Sequence, residues 1–432
     1  MEFKLKDIAH INQETLKKDS FPNNFLYLDT KNLTSGKFGE LVYFDTMKDK
    51  VPSRARRIVK ENDILISTVR PNQRHYGFIT KDQESYIVST GFAVITPDET
   101  KVNPYFLYKY LTLENITNYL QSIAENSTSA YPAIKPSVLS ELSIILPDKT
   151  IQGYISKLLR SLDDKMNLNE QIIANLEELS QTLFKRWFVD FEFPDENGNP
   201  YKSSGGEMVD SELGKIPLNW NVNALKNITD IRTGYAFKSS EYIYSSKLSV
   251  LRTLNISKTS CLIEMSNLKF VSNDYINISK YNKYSLEIFD TLLVTVGGSI
   301  GNIGIITESN LPSLQNQNMW RFRTLNSNIN NPLIYNIIKI INKNVSNQTS
   351  GSAREFYTKK VFENFKIALP NLNHPMLLKA NQIHLNLFKN ISNLNKETNN
   401  LVKLRDTLLP KLMSGELEIS DDVEVNTDEL SI

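Results

Sequence analysis

Two stretches of the chain carry apolar residues at alternating spacings of four and three. In the first, Leu158, Leu162, Ile172, Leu176, Leu179 and Leu183 follow this rhythm, with Lys165 and Asn169 as polar interruptions. In the second, Ile383, Leu387, Leu394, Leu401, Leu404 and Leu408 repeat it, and Asn390 and Glu397 break the seam. No Gly or Pro interrupts the chain between Ser156 and Asp190, or between Met376 and Leu409. Such spacing predicts long helices with a coiled-coil seam. Each helix could instead pack on its own domain. The equal length and phase of the two seams favour mutual pairing.

The segments before each helix read differently. Tyr86-Ile87-Val88 with Phe92 to Ile95, and Thr291 to Val296 with Ile303 to Ile306, are short, β-branched and aromatic, as strands are. One helix is predicted after Asn103-Pro104 and another after Asn331-Pro332, with Asn as N-cap and Pro in the first turn. Shifting the chain by about 220–228 residues aligns these features. Leu5-Lys6-Asp7-Ile8 meets Leu225-Lys226-Asn227-Ile228, Gly77 meets Gly304, and Leu146-Pro147 meets Leu369-Pro370. The chain is therefore read as an internal repeat of domain, helix, domain, helix. The predicted fold class is α+β, with two similar mixed α/β domains at opposite ends of a two-helix antiparallel coiled coil, related by a pseudo-two-fold axis.

The boundaries follow from composition. Residues 1–150 form the first domain and 151–193 the central long helix. Residues 194–219 form a linker with turn chemistry in Asp195 to Pro200 and Ser203 to Gly206. Residues 220–372 form the second domain and 373–419 the distal long helix. Residues 420–432 are an acidic tail, expected to be disordered. A helix of about 30–35 residues spans roughly 45–50 Å, more than one turn of B-DNA. Two divergent domains on such a rod suit a split, asymmetric DNA target.

Composition narrows the classes. The chain has 432 residues and a net charge of +1, so a nucleic-acid binder would need local basic surfaces. One cysteine, Cys261, and four scattered histidines, His10, His75, His374 and His384, argue against disulfides and structural zinc. No apolar run is long enough for a membrane span and no signal core opens the chain, so a cytoplasmic, non-membrane protein is expected.

The sequence offers little catalytic chemistry. Asn103-Pro104-Tyr105-Phe106 lacks the second proline of an amino-methyltransferase loop. Gly297-Gly298-Ser299-Ile300-Gly301-Asn302-Ile303-Gly304 precedes a strand-like run, which suits a strand–loop–strand connection rather than a dinucleotide site. No P-loop is present. In Pro97-Asp98-Glu99-Thr100-Lys101 the nuclease-type residues are too close to converge on a metal.

Several stretches carry a resemblance. "KRWFVDFEFP" (Lys185 to Pro194), "SELGKIPLNW" (Ser211 to Trp220), "SIILPDKTIQGYI" (Ser143 to Ile155) and "LLPKLMSGELEI" (Leu408 to Ile419), in this order, make the chain similar to the specificity subunit of type I restriction–modification enzymes. The resemblance covers essentially the whole chain to about Ile419. It implies two target-recognition domains, each reading half of a bipartite sequence in double-stranded DNA. It implies helices that set the half-site spacing and dock two methyltransferase (modification) subunits, which two restriction subunits then join. S-adenosylmethionine, ATP and Mg²⁺ would belong to those partners, with none in this chain. Gln152, present in the first copy, has no evident equivalent in "LPNLNHPMLLKANQI" of the second.

Phosphate contacts call for Lys and Arg, and base edges for Arg, Asn, Gln and Ser. The first-domain candidates are Arg54, Arg56, Arg57, Lys60, Arg70, Asn72, Gln73 and Arg74. Those of the second domain are Arg232, Lys238, Arg252, Ser299, Asn302, Gln317, Asn318, Arg321, Arg354 and Tyr357. The run Arg54 to Lys60 could equally be a solvated face. The expected protein is a non-catalytic DNA-recognition subunit. Two alternatives stay open: the recognition part of a restriction–modification enzyme with its own methyltransferase or nuclease activity, and a coiled-coil adaptor without a nucleic-acid role.

Overall fold

A computed structural model describes residues 1–17, 20–126, 132–348 and 357–417. The chain divides into two compact units, Met1–Asp164 with Val402–Ile432, and Lys165–Leu401. Among the described residues no helix is long and apolar enough to cross a membrane.

In the first unit, one antiparallel sheet has the order Ala9–Ile11, Phe92–Pro97, Ile64–Ser67, Tyr76–Phe78. A second sheet has the order Val42–Asp45, Asn24–Leu28, Tyr86–Ser89, Ala55–Ile58, and its inner pair is parallel. A third pairs Glu2–Lys4 with Ser143–Ile145. Tyr86–Ser89 and Phe92–Pro97, adjacent in sequence, thus enter different sheets, which a local reading of β-propensity could not separate.

The second unit repeats this plan. Its sheets run Thr229–Thr233, Met319–Thr324, Thr291–Val294, Ile303–Ile305 and Lys269–Phe270, Ser249–Leu251, Ser313–Gln315. The pair Ser249–Leu251 and Ser313–Gln315 is again parallel. Trp220–Ala224 pairs with Lys366–Pro370. Among the described residues, Ala55–Ile58 and the short pair Leu33–Thr34 with Lys37–Phe38 have no counterpart strands in the second unit. The register agrees residue by residue: Leu65 faces Gly77, and Leu292 faces Gly304. A Cβ at Gly77 would lie 2.9 Å from the Leu33 side chain, and one at Gly304 2.5 Å from that of Ile263. Both hairpins therefore need glycine for close packing, not for its backbone freedom.

Asn103 caps the helix Pro104–Leu111, its Oδ1 accepting from the Tyr105 and Phe106 amides at 3.0 Å. In the second unit the cap is Asn330, whose Oδ1 accepts from Leu333 N–H at 3.0 Å. Asn331 begins the helix Asn331–Gln348 and binds Thr324 N–H instead. The expected cap was one residue late because two asparagines precede Pro332. Gln152 accepts from Asn103 N–H at 2.8 Å. Its missing counterpart is Asn381, which accepts from Asn330 N–H at 2.9 Å. A shorter amide, three residues further into its helix, performs the same joint.

The expected linker is folded. Met208–Ser211 and Gly214–Pro217 form a hairpin, and Phe193 stacks on Tyr201 and Trp220 at 4.6 and 5.3 Å. Burying these rings outweighs the turn-forming bias of the surrounding residues.

The long helices are Lys149–Phe188 and Pro375–Ser414. In the first unit, Ile155 and Leu159 share a core with Leu412 and Met413. In the second, Asn169 meets Glu397 and Thr398, and Ser180 meets His384, so partner numbers fall as helix numbers rise. These segments run antiparallel.

The buried faces of the two helices lie one residue away from much of the leucine pattern, and that of the distal helix also packs on its own domain, Phe388 against Phe289 and Tyr335. Ile155, Leu159, Leu162, Met166, Asn169, Ile173, Ser180 and Phe184 are buried, whereas Leu158 and Leu179 are exposed. Leu162 keeps its predicted place; Ile172, Leu176 and Leu183 are half-buried flanks. On the distal helix His384, Phe388, Ile391 and Asn395 are buried, Ile383, Leu387, Leu394, Leu401 and Leu408 flank them, and Leu404 is exposed. The buried faces tolerate Asn169, Ser180, His384 and Asn395 because each finds a hydrogen-bond partner, on the facing helix for the first three and in Thr307 of the second domain for Asn395. Counting leucines skips such positions.

Candidate nucleic-acid interface

In each unit one β-hairpin loop carries several candidate base readers. The loop between Ile64–Ser67 and Tyr76–Phe78 holds Arg70, Asn72, Gln73 and Arg74, all exposed. It folds as a tight turn at Pro71–Gln73, with Arg70 and Arg74 in the left-handed region at φ +49° and +55°. Thr68 C=O accepts from Ile134 N–H at 2.8 Å, and Asn72 N–H donates to Gln121 Oε1 at 3.1 Å. Gln73 lies 3.1 Å from His75 Nε2, and Arg74 is 3.7 Å from Glu114. The loop is thus hydrogen-bonded at its base and tip, with arginine and amide groups at its surface.

The counterpart connects Thr291–Val294 to Ile303–Ile305 and contains the glycine-rich run. It leads from strand to strand, as the strand–loop–strand reading expects, so its amides do not sit at a helix start. Gly297 and Gly301 take φ near +85°, and Val296 to Gly298 are exposed. Ser299 is half-buried. Asn302 is tied inward, donating to Ile256 C=O at 3.1 Å. Gln317 and Asn318 are exposed on a turn beside the base of this loop, where Asn318 C=O accepts from Thr295 N–H at 3.0 Å.

The other candidates scatter. In the densest basic run, Lys60 pairs with Glu14, which raises its pKa. Arg57 donates to Thr15 Oγ1 at 2.8 Å, and partial burial lowers its pKa. Arg56 lies over the Phe21 ring at 5.3 Å. These three hold Glu14, Thr15 and Phe21 against the run, in which Arg54 and Lys60 are exposed. Arg252 donates to Asn267 C=O and Arg232 to Lys283 C=O, each holding a loop. Lys238 is exposed at the start of a short turn.

Two candidates are corrected outright. Arg321 is buried between Trp320 and Phe322 and pairs with Asp230, so its guanidinium is committed inside the unit. Tyr357 is buried against Phe362 and donates to Asn342 Oδ1 at 2.6 Å. Arg354 lies outside the described residues, as does the expected acidic tail.

Sequence reasoning passed over a cleft beside the second loop. Lys258, Thr259, Asn302, Lys339, Asn342 and Lys343 line it. Lys339 is paired with Glu177 at 3.1 Å, whereas Lys258 and Lys343 are exposed. The i, i+4 spacing of Lys339 and Lys343 on one helix face was the available signal.

The sequence pattern of the family described as "Type I restriction modification DNA specificity domain" matches residues 1–178 and again 217–404. The chain is 25% identical to the type I restriction enzyme HindI specificity subunit of Haemophilus influenzae, covering 96% of this chain and 99% of that protein. It is also 25% identical to the MjaIX specificity subunit of Methanocaldococcus jannaschii, covering 97% and 93%. A crystal structure of a type I restriction–modification S subunit from M. genitalium shares the fold, with a TM-score of 0.53 at 17% identity, covering 97% of this chain and 96% of that one. The doubled match, falling on the doubled strand topology, places this chain in the family of type I restriction–modification specificity subunits, whose task is DNA sequence recognition.

Proposed function

We propose that each unit carries one target-recognition domain, and that the two domains read the two halves of a bipartite, asymmetric sequence in double-stranded DNA. The observation that carries this reading is the repeated strand topology with unlike hairpin loops: one framework presents Arg70 to Arg74 in one copy and Gly297 to Asn302 in the other. A shared framework with divergent loops suits two readers with different base preferences.

In this reading the long helices pair antiparallel along their length, hold the domains at opposite ends and set the gap between half-sites. Their exposed sides dock two modification subunits, and restriction subunits complete the complex in the cytoplasm. The chain itself is non-catalytic. Adenine methylation and cleavage, with S-adenosylmethionine, ATP and Mg²⁺, belong to the partners. The helical pairing of Asn169 with Glu397 and of Ser180 with His384 supports a fixed register.

A base-resolution methylation map of a host carrying the whole system tests this. One gapped, non-palindromic motif is expected. A continuous or palindromic motif would contradict two unlike readers.

A further inference from the structure

Both hairpin loops are gripped by a side-chain amide from a neighbouring helix, and the two units use different residues for it. In the second unit Asn342, on the helix Asn331–Gln348, donates its Nδ2 to Gly301 C=O at 2.9 Å. Its Oδ1 accepts from the Tyr357 hydroxyl at 2.6 Å. Gly301 sits at φ +86°, and a Cβ there would lie 2.8 Å from that hydroxyl, so the loop fits under the tyrosine only as glycine. In the first unit Gln121, on the helix Glu114–Glu125, accepts from Asn72 N–H at 3.1 Å, while its Nε2 donates to Glu125 at 2.8 Å. Each amide thus has one end on the loop backbone and the other on a second side chain, Tyr357 in one unit and Glu125 of the same helix in the other.

Such a bond adds little to the stability of a unit with so large a core. Its leverage lies elsewhere. Base discrimination depends on hydrogen bonds placed to within fractions of an ångström, and a loop released from its helix loses that placement. We infer that Asn342 with Tyr357, and separately Gln121, are positioning residues that set base discrimination, each in the half-site served by its own unit. This rests on the reading that the hairpin loops face DNA.

The test uses the assembled modification complex and methyl-transfer rates on duplexes with the cognate site, or with one base pair changed in either half. Asn342→Leu and Tyr357→Phe should each reduce the cognate-to-variant rate ratio about tenfold in one half only. Tyr357→Phe keeps the ring packing and removes only the hydroxyl. Gln121→Leu should do the same in the other half, with melting temperatures little changed. Two loop variants, Asn72→Ala with Gln73→Ala and Ser299→Ala with Gln317→Ala, identify the half each loop serves. If these change discrimination and the amide variants do not, the positioning role is overturned. If the loop variants change neither half, the reading that the loops face DNA falls, and the inference with it. Loss in both halves from one amide variant, together with a lowered melting temperature, would mark a purely structural residue and also overturn it.

Discussion

The Ser180 hydroxyl lies 2.8 Å from His384 Nδ1, and both side chains are closed off from solvent. Asn336 Nδ2 donates in turn to Ser180 Oγ at 2.8 Å. Burial pushes the imidazole down to about 4. Unfolding returns it to an ordinary value near 6.5, so between those two pH values the unfolded chain binds the extra proton. The neutral-His contribution is complete above about pH 6.5 and is lost as pH falls towards 4, on the order of 3 kcal/mol in all. Denaturant midpoints measured across this range should fall with pH for the native chain. His384→Leu should be less stable at neutral pH but should lack this fall. Equal slopes for the two proteins would refute the assignment.

Asp163 gathers three partners in the first unit. Lys109 pairs with it, Tyr105 donates to it at 2.5 Å, and Arg405 from the distal helix lies 3.4 Å away. Lys109 is almost wholly buried, and burial lowers its pKa. Asp163→Ala strands that cation and should cost about 3–5 kcal/mol. Adding Lys109→Met should restore part of the loss. A double-mutant cycle by urea denaturation reads this directly; simple additivity of the two changes would show that the pair is not coupled.

Leu158 and Leu179 lie on the outer face of the central helix, 40% and 45% exposed. Phe184 is wholly buried. Replacing either leucine with Glu should change stability by less than about 0.5 kcal/mol, while Phe184→Ala should cost about 3–5 kcal/mol. Leu158→Glu with Leu179→Glu should also weaken co-purification with the modification subunit, since an exposed apolar face is the part of the helix left for a partner. A large loss of stability from the leucine changes would restore the leucine seam.

Much of the architecture was legible in the sequence. The Asn103 cap, the alignment of Gly77 with Gly304 and the presence of both long helices follow from residue type and period, although the helices end at Phe188 and Ser414 rather than at 193 and 419. The phase of the seam was not, because Asn169, Ser180 and His384 occupy buried positions that only their partners explain. Nor could Arg321 be placed. Met319 to Phe322 form an unbroken buried run, covered on both faces, so alternation gives no sign of which basic residue points inward. Gln152 and Asn381 show the same limit: one joint made by two amides has no sequence identity to follow. The exposure of Arg70, Asn72, Gln73 and Arg74 was legible, because a polar connection between two apolar strands must run over the surface.

The central claim is that two independent readers share one framework. Exchanging residues 220–372 for the matching segment of another specificity subunit, then mapping methylated bases in a host carrying the system, addresses it most directly. One half of the recognised sequence should change while the other half and the gap stay as they were. A change in both halves, or in neither, would contradict the claim.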